Sequence, residues 1–185
     1  MDEYRISIFS GSHKIQAVLP WFQIYEAEFD AYAGDGFTVS GMSMTEDGEL
    51  ALQAKMQEAL EKFYQAAVAN KDFSEVSDLF MDGSSENAKE SYDYLVESLN
   101  GSDYYTLNEV TFDDFECEFY VNENGISAEM TYDYDMDYTY VRSSWFSNKK
   151  TTETRTDSGY SYMNASFGYD GETYKLVSVN VRSVL

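Results

Sequence analysis

The sequence predicts an α+β fold: three N-terminal helices packed on a curved four-stranded antiparallel sheet (a cone), preceded by a small all-β unit. Three observations support this fold. Apolar and polar residues alternate along residues 126–140, apolar residues recur at helical spacing from Leu50, and short apolar runs separated by turn residues fill residues 3–44. We therefore expect a small β unit in residues 1–45 and an α+β cone domain in residues 49–185.

The small β unit contains four short stretches in which apolar and polar residues alternate. Ser10-Gly11-Ser12 and Gly34-Asp35-Gly36 predict turns, and Pro20 ends a strand or marks a sheet edge. The four expected strands lie at about residues 4–8, 15–19, 22–29 and 37–42. Because so small a unit buries little core alone, we expect it to pack against its neighbour or to have lost strands.

After a polar joint at residues 45–48, the period of the apolar residues becomes that of a helix. The first helix is expected from Leu50 to near Asn70. Its apolar stripe comprises Leu52, Met56, Ala59, Leu60, Phe63 and Ala67.

Two further helices are expected before the sheet. Asp72 and Glu75 have the spacing of a capping box, which predicts a short second helix that ends at residues 82–83. A third helix begins at residues 84–85, and Asn100-Gly101 supplies a left-handed stop.

The remaining residues predict a four-stranded meander. The parity of the apolar residues slips at residues 113–114, as a β-bulge would cause. Turns are expected at residues 122–125, 147–150 and 170–171, and a pause in the third strand at residues 157–159. A long, bent sheet with a helix across it forms a cone, whose open mouth is a natural pocket.

The charge of the chain limits its partners. Its 185 residues carry a formal net charge of −22, which repels nucleic acid phosphates and anionic lipid headgroups. We therefore expect no nucleic acid partner and no direct binding to a membrane surface. Cations, basic proteins and neutral or zwitterionic small molecules remain as partners, and the simplest explanation of the acidity is solubility.

Single residues exclude several other kinds of site. Cys117 is the only cysteine, so the chain has neither an internal disulfide nor a cysteine-rich metal site. His13 is the only histidine and lies outside the cone domain, which excludes histidine-based acid–base catalysis there.

No apolar run approaches the roughly 18–20 residues that cross a bilayer. The abrupt start, Met1-Asp2-Glu3 before a strand-like segment, indicates a piece of a longer protein.

Asp133, Asp135 and Asp137 form an acidic row on one face of the longest predicted strand. One interpretation is a metal site for Ca²⁺, and another is a docking face for a basic partner. However, alternate side chains on a strand lie about 6–7 Å apart and do not wrap an ion. The sequence therefore favours a solvated face beside Lys149, Lys150 and Arg155, and no cofactor.

Aromatic residues supply the candidate ligand-binding site. Tyr132, Tyr134, Tyr138 and Tyr140 share the other face of the same strand. They are either core residues or the lining of a pocket that stacks on sugar or peptide rings, with the outer end of the row favoured for contact. Trp145-Phe146 lies beside a predicted turn and suggests a contact at the rim, or packing against the small β unit.

The order of helices followed by a meander resembles the nuclear-transport-factor-2-like fold, also called the ketosteroid-isomerase or cystatin-like superfamily. The resemblance covers residues 49–185. Residues 11–15, Pro20 and residues 34–35 resemble a PEGA-type surface repeat, except that Trp21 stands where such repeats usually carry glycine.

A PEGA-like unit followed by such a cone is similar to the extracytoplasmic part of Gram-positive zinc-ribbon membrane proteins of the teicoplanin-resistance-associated TcaA family. The resemblance implies an ectodomain at the extracellular face of the cell membrane, anchored through a segment absent from this chain. It implies a non-enzymatic binding or scaffolding module that contacts a cell-wall fragment or an envelope protein, and it transfers no catalytic residue.

The alternative function is a small-molecule isomerase or dehydratase of the ketosteroid-isomerase type. Such enzymes place an aspartate base and an oxyanion-stabilising tyrosine inside the cone. A buried acid within reach of a tyrosine hydroxyl would favour the enzyme, whereas a cone filled by its own aromatic side chains would favour the binding module. A homodimer through the open face of the sheet, common in this fold family, is compatible with either.

Overall fold

In the computed structural model, the described residues are 9–31, 37–82, 85–122, 125–143 and 150–185. Of these residues, 28% are helical and 51% lie in strands, and they form two helices and two sheets. The fold is therefore mostly β, and the prediction of three helices on a sheet is wrong.

Helix α1 (Glu46–Val68) begins before Leu50 because Thr45 caps it. The Thr45 hydroxyl accepts a hydrogen bond of 3.1 Å from the Gly48 amide, which satisfies one of the free N–H groups of the first turn. All six residues of the predicted apolar stripe are buried: Leu52, Met56, Ala59, Leu60, Phe63 and Ala67.

The expected second helix is replaced by two short 3₁₀ turns, Phe73–Glu75 and Ser77–Leu79. Val76 lies between them with φ −121° and ψ −1°, outside the helical region, so the turns do not merge. A segment this short gains too few hydrogen bonds to nucleate an α-helix. Its apolar residues are used in the core all the same, since Val76 and Phe80 are buried.

Helix α2 (Ser85–Asn100) lies against the end of α1. The Asn100 side-chain amide donates to the Ala67 carbonyl at 2.8 Å, and the Tyr92 hydroxyl donates to the Lys71 carbonyl at 2.8 Å. The first bond joins α2 to the last turn of α1, where the Ala67 carbonyl also accepts from the Asn70 amide at 3.0 Å, and the second holds the Lys71 carbonyl just beyond α1.

The larger sheet consists of β3 (Tyr105–Asn122), β4 (Gly125–Ser143), β5 (Lys150–Tyr169) and β6 (Tyr174–Val181), paired antiparallel in chain order. The four strands of the predicted meander are therefore present, although the fold class is not the one expected.

The register of the sheet confirms one local prediction and contradicts another. β3 slips against β4 between Asp113 and Glu116, and Asp114 has a positive φ of 47°, so the predicted bulge is present. The pause expected at residues 157–159 is wrong, because β5 is continuous. Gly159 fits there because it faces Tyr134, whose hydroxyl would lie only 2.7 Å from an added Cβ.

The core lies between the inner face of this sheet and the two helices. Every strand of the sheet contributes buried side chains to it. Burial of each large apolar side chain stabilises the fold by roughly 1.5–3 kcal/mol. The largest fully buried side chains are Tyr64, Tyr92, Tyr132, Phe63, Phe167, Leu52, Met56, Leu60, Leu95, Leu99, Ile126 and Met130.

The small β unit contains a hairpin of β1 (Gly11–Ala17) and β2 (Tyr25–Ala31). Phe37 packs on the rings of Tyr25 and Phe29, with centroids 6.3 and 5.5 Å away. The strand expected at 37–42 is absent from the described residues 37–43, and the one expected at 4–8 lies outside the described residues.

Trp21 and Phe22 connect the small β unit to the rest of the chain. The Trp21 ring stacks on Tyr174 of β6 at 5.0 Å, and its carbonyl accepts hydrogen bonds from the Thr45 amide (2.8 Å) and hydroxyl (3.1 Å). Phe22 is buried and forms an isolated bridge with Met44. The start of α1 is therefore held against this unit.

We predict that Gly48→Ala lowers the free energy of unfolding by about 1–3 kcal/mol, because the new Cβ meets rigid backbone. That Cβ would lie 2.5 Å from the Trp21 carbonyl oxygen and 2.5 Å from the Trp21 Cβ. In an unobstructed helix the same change would stabilise by up to about 1 kcal/mol. Urea unfolding measures the sign, with Leu50→Ala on the exposed side of α1 as the control, and a stabilised Gly48→Ala protein would contradict the packing described.

Candidate functional site

The predicted aromatic row is divided into two parts by Met136. Tyr132 is fully buried, and its ring packs edge-on against Phe112 with centroids 5.3 Å apart. Tyr134 covers Gly159 on the neighbouring strand. Of these two predicted ligand-binding residues, Tyr132 therefore belongs to the core, and Tyr134 is half-buried against it.

The interior holds tyrosine hydroxyls but no acid among the described residues, where Ser161 is the only buried polar side chain apart from tyrosines. The Tyr64 hydroxyl donates to the Arg182 carbonyl at 2.7 Å. Burial raises the pKa of Tyr64, and it raises the pKa of Tyr132 to about 12. Burial also raises the pKa of the Cys117 thiol to about 11, so this side chain is not a ready nucleophile.

Tyr132 and Ser161 face each other across β4 and β5, and both are buried. The Tyr132 hydroxyl lies close to those of Ser161 and Tyr64, and these neighbours partly offset the effect of burial on its pKa. By geometry, however, neither the Tyr132 nor the Ser161 hydroxyl forms a normal hydrogen bond within the described part of the chain. A buried hydroxyl without a partner costs free energy, so this pair is the least well satisfied point of the core.

We predict opposite outcomes for two tyrosine-to-phenylalanine variants. Tyr64→Phe removes the partner of the Arg182 carbonyl and lowers the free energy of unfolding by about 1 kcal/mol. Tyr132→Phe removes an unpaired hydroxyl and changes it by less than about 0.5 kcal/mol. Urea unfolding measures both, and a Tyr132→Phe loss equal to that of Tyr64→Phe would show that the Tyr132 hydroxyl has a structural partner.

The outer end of the row forms a surface cluster that we call the tyrosine platform: Tyr105, Tyr138, Tyr140 and Arg155. The Tyr105 ring lies 6.0 Å from that of Tyr138 and 5.2 Å from that of Tyr140. The Arg155 guanidinium lies 4.7 Å from the centre of the Tyr140 ring, in cation–π geometry. Tyr138 and Tyr140 are half-buried, so parts of their rings remain accessible.

Glu153 completes the charge arrangement beside the platform. Its carboxylate lies 2.8 Å from the Arg155 guanidinium. A hydrogen bond from that guanidinium lowers the pKa of the Glu153 carboxyl and raises the pKa of Arg155. The platform therefore presents aromatic faces next to a cation and an anion that already neutralise each other.

The predicted acidic row lies on the opposite, outer face of the sheet. Asp133 faces Asp113 of β3 directly, and Asp137 faces Glu109, while Asp135 faces Thr111. A third acidic pair, Glu118 with Glu129, lies further along the same two strands. Like charges directly opposite each other destabilise a sheet.

The three predicted metal ligands do not form one group. Instead, ligand oxygens of Asp113, Asp114 and Asp133 lie within 4.8 Å of one another, and all three residues are exposed. Ca²⁺ takes six to eight oxygen ligands, so three exposed carboxylates that each offer one oxygen leave at least half of its coordination shell to water. Asp135 and Asp137 lie outside this group, so the row predicted from sequence is not a ready coordination site.

The basic residues expected beside the acidic row lie elsewhere. Arg155 faces Tyr138 across the strands, so it is on the inner face and not beside Asp137. Lys150 faces Ser143 at the far end of β4, and Lys149 lies outside the described residues. The interpretation that placed Arg155 next to the row is therefore wrong.

We predict that Glu109→Gln raises the free energy of unfolding by some tenths of a kcal/mol, because it relieves repulsion with Asp137. Glu61→Gln on the exposed side of α1 is the matched control and should have no such effect. The gain should shrink as salt screens the charges. Urea unfolding at low and high salt tests it, and a loss of stability in Glu109→Gln would mean that this carboxylate has a favourable partner.

Trp145 and Phe146 lie outside the described residues, so their predicted rim contact stays a prediction. Tyr105 was missed in the sequence because it lies on another strand, and the register of β3 against β4 was needed to find it.

No described helix is long and apolar enough to span a bilayer. Neither protein-family models nor curated proteins give a match to this chain.

Proposed function

We propose that this chain is a non-enzymatic binding or scaffolding module whose contact surface is the tyrosine platform. The observation that carries the proposal is the filled space between the large sheet and the two helices. Tyr64, Tyr132 and Phe112 pack against one another there, and the described residues place no acid among them. A ligand therefore has room at the outer end of the sheet rather than inside it.

The chemistry of the platform suits rings that carry polar groups. Tyrosine faces stack on sugar rings or on the side chains of peptides, while their hydroxyl groups and the Arg155 guanidinium donate hydrogen bonds. The platform is mounted on three paired strands, β3, β4 and β5, so its side chains need little ordering when a ligand binds.

The proposed setting is the extracellular side of a cell envelope, where the ligand would be a cell-wall fragment or a segment of an envelope protein. This part of the proposal rests on the resemblance to TcaA-type ectodomains and on the strongly acidic composition, which disfavours nucleic acid and anionic membranes.

The isomerase alternative has no observation in its favour. An enzyme of that type needs a carboxylate base inside the cone, at hydrogen-bond distance from the substrate. The carboxylates closest in sequence to the buried Tyr132, namely those of Asp133 and Asp135, are exposed on the opposite face of the strand.

An NMR titration of the ¹⁵N-labelled chain with soluble muropeptides and wall-polymer fragments tests the proposal. We expect saturable shifts centred on Tyr105, Tyr138 and Tyr140, and a rise in Kd of about fivefold or more in Tyr140→Ala. Tyr160→Ala, an exposed tyrosine on the outer face, is the matched control and should bind as the unmodified chain does.

Two results would contradict this proposal. One is an absence of shifts with every fragment, and the other is a set of shifts around Tyr160 that Tyr140→Ala leaves unchanged. The melting temperature of each variant shows whether a lost signal reflects lost binding or lost folding.

A further inference from the structure

Among the described residues, one edge of β5 has no neighbouring strand over most of its length. β6 pairs only with Met163–Tyr169, so Lys150–Tyr162 has a partner on the β4 side alone among the described residues. At about 3.3 Å per residue this free edge is some 40 Å long. The Ser158 amide donates to the Asp157 carboxylate at 2.9 Å. The other backbone N–H and C=O groups that point outward along this edge are available to another strand.

The free edge of β5 differs from the other long edge of the sheet. β3 has two register shifts, which bend and twist an edge and so discourage pairing. β5 pairs with β4 from Lys150 to Phe167 without a shift, and it contains no proline. Of these two edges, β5 is the one built to accept a further strand.

We propose that two copies of this chain form a symmetric dimer in which the free edges of β5 pair antiparallel, centred on Thr154. The two four-stranded sheets would then join into one continuous sheet. A two-fold axis at Thr154 places each residue opposite the residue equally far on the other side of the centre.

The side chains of β5 limit the registers in which a second copy can pair. Centred on Thr154, Glu153 of each copy faces Arg155 of the other, and Thr152 faces Thr156. Centred one residue later, Arg155 would face itself and Glu153 would face Asp157, which places like charges together. A centre at Thr156 would also place opposite charges together, Arg155 with Asp157, but only the Thr154 centre uses Glu153, so the Glu153→Arg variant separates the two registers. The free edge of β5 is therefore complementary in charge to the same edge of a second copy, but only in certain registers.

The local charge permits two acidic chains to approach at this edge. The chain as a whole is strongly acidic, but along the free edge of β5 Lys150 and Arg155 balance Glu153 and Asp157. The acidic residues of β4 lie one strand behind the joined edges, with Asp137 facing Thr156. At physiological ionic strength the remaining charges are screened beyond about 8 Å.

This inference is independent of the ligand-binding proposal, although Arg155 takes part in both. Thr154→Glu places two carboxylates opposite each other on the proposed axis. Thr154 faces Thr139 on the outer side of the sheet, so this change leaves the tyrosines and Arg155 of the platform, and the neighbouring Glu153, in place. Loss of the dimer with retained ligand binding, or the converse, therefore separates the two proposals.

Sedimentation equilibrium of the whole 185-residue chain from about 5 to 500 µM tests the dimer. We expect a monomer–dimer equilibrium whose Kd rises about tenfold or more in Glu153→Arg and in Arg155→Glu, because each change places like charges across the axis twice. The double variant Glu153→Arg/Arg155→Glu exchanges the charges and should restore the original Kd. Glu118→Arg on β3 alters the net charge as Glu153→Arg does and should leave dimerisation intact.

Hydrogen exchange locates the contact. Amides of residues 151–157 should become protected as the protein concentration rises, whereas those of β3 should not. A monomer at every concentration, or single variants that the double variant fails to rescue, would overturn the proposal. A dimer that none of the β5 variants weakens would overturn it as well.

Discussion

The division of β4 into a buried face and a wet face is the constraint around which this structure is arranged. β4 pairs on both sides, so a slip of one residue would turn its whole apolar row toward solvent. The bulge in β3 follows from the same constraint. It changes the parity of the strand so that Phe112 before it and Cys117 after it both face inward.

The inner face of the large sheet determines where a ligand could bind. Aromatic side chains from α1, β3 and β4 fill the space beneath the helices, and Tyr132 lies at their centre. Further along β4 the same row continues with Tyr138, which packs against the edge of the core, and Tyr140, and both are only half-buried. A single periodic pattern therefore produces core at one end and accessible surface at the other.

The outer face has a different balance of forces. Three acidic pairs face each other directly between β3 and β4, each costing some tenths of a kcal/mol. The burial of one large apolar side chain on the inner face contributes roughly 1.5–3 kcal/mol, so hydrophobic packing dominates and the sheet tolerates its acids. The fold therefore tolerates its acidic outer face because the inner face is well packed, and the acidic pairs themselves do not stabilise it.

Local patterns in the sequence were sufficient for β4, for the bulge at Asp113-Asp114 and for the stripe of α1. Local patterns failed where the structure of a segment depends on the elements that it packs against or pairs with. Residues 73–79 have the spacing of a helix but are too short to form one, and their apolar side chains pack as 3₁₀ turns. The face occupied by Arg155 depends on the register of β5, which no pattern within one strand reveals.

Nitration of tyrosines in the folded protein, mapped by mass spectrometry, tests the central claim that the interior is filled. Tyr94 and Tyr160 are both 66% exposed and should react readily. Tyr64, Tyr92 and Tyr132 are buried and should stay unmodified until the protein unfolds. Modification of Tyr132 as fast as that of Tyr160, with the fold intact by circular dichroism, would mean an open cone and would contradict this account.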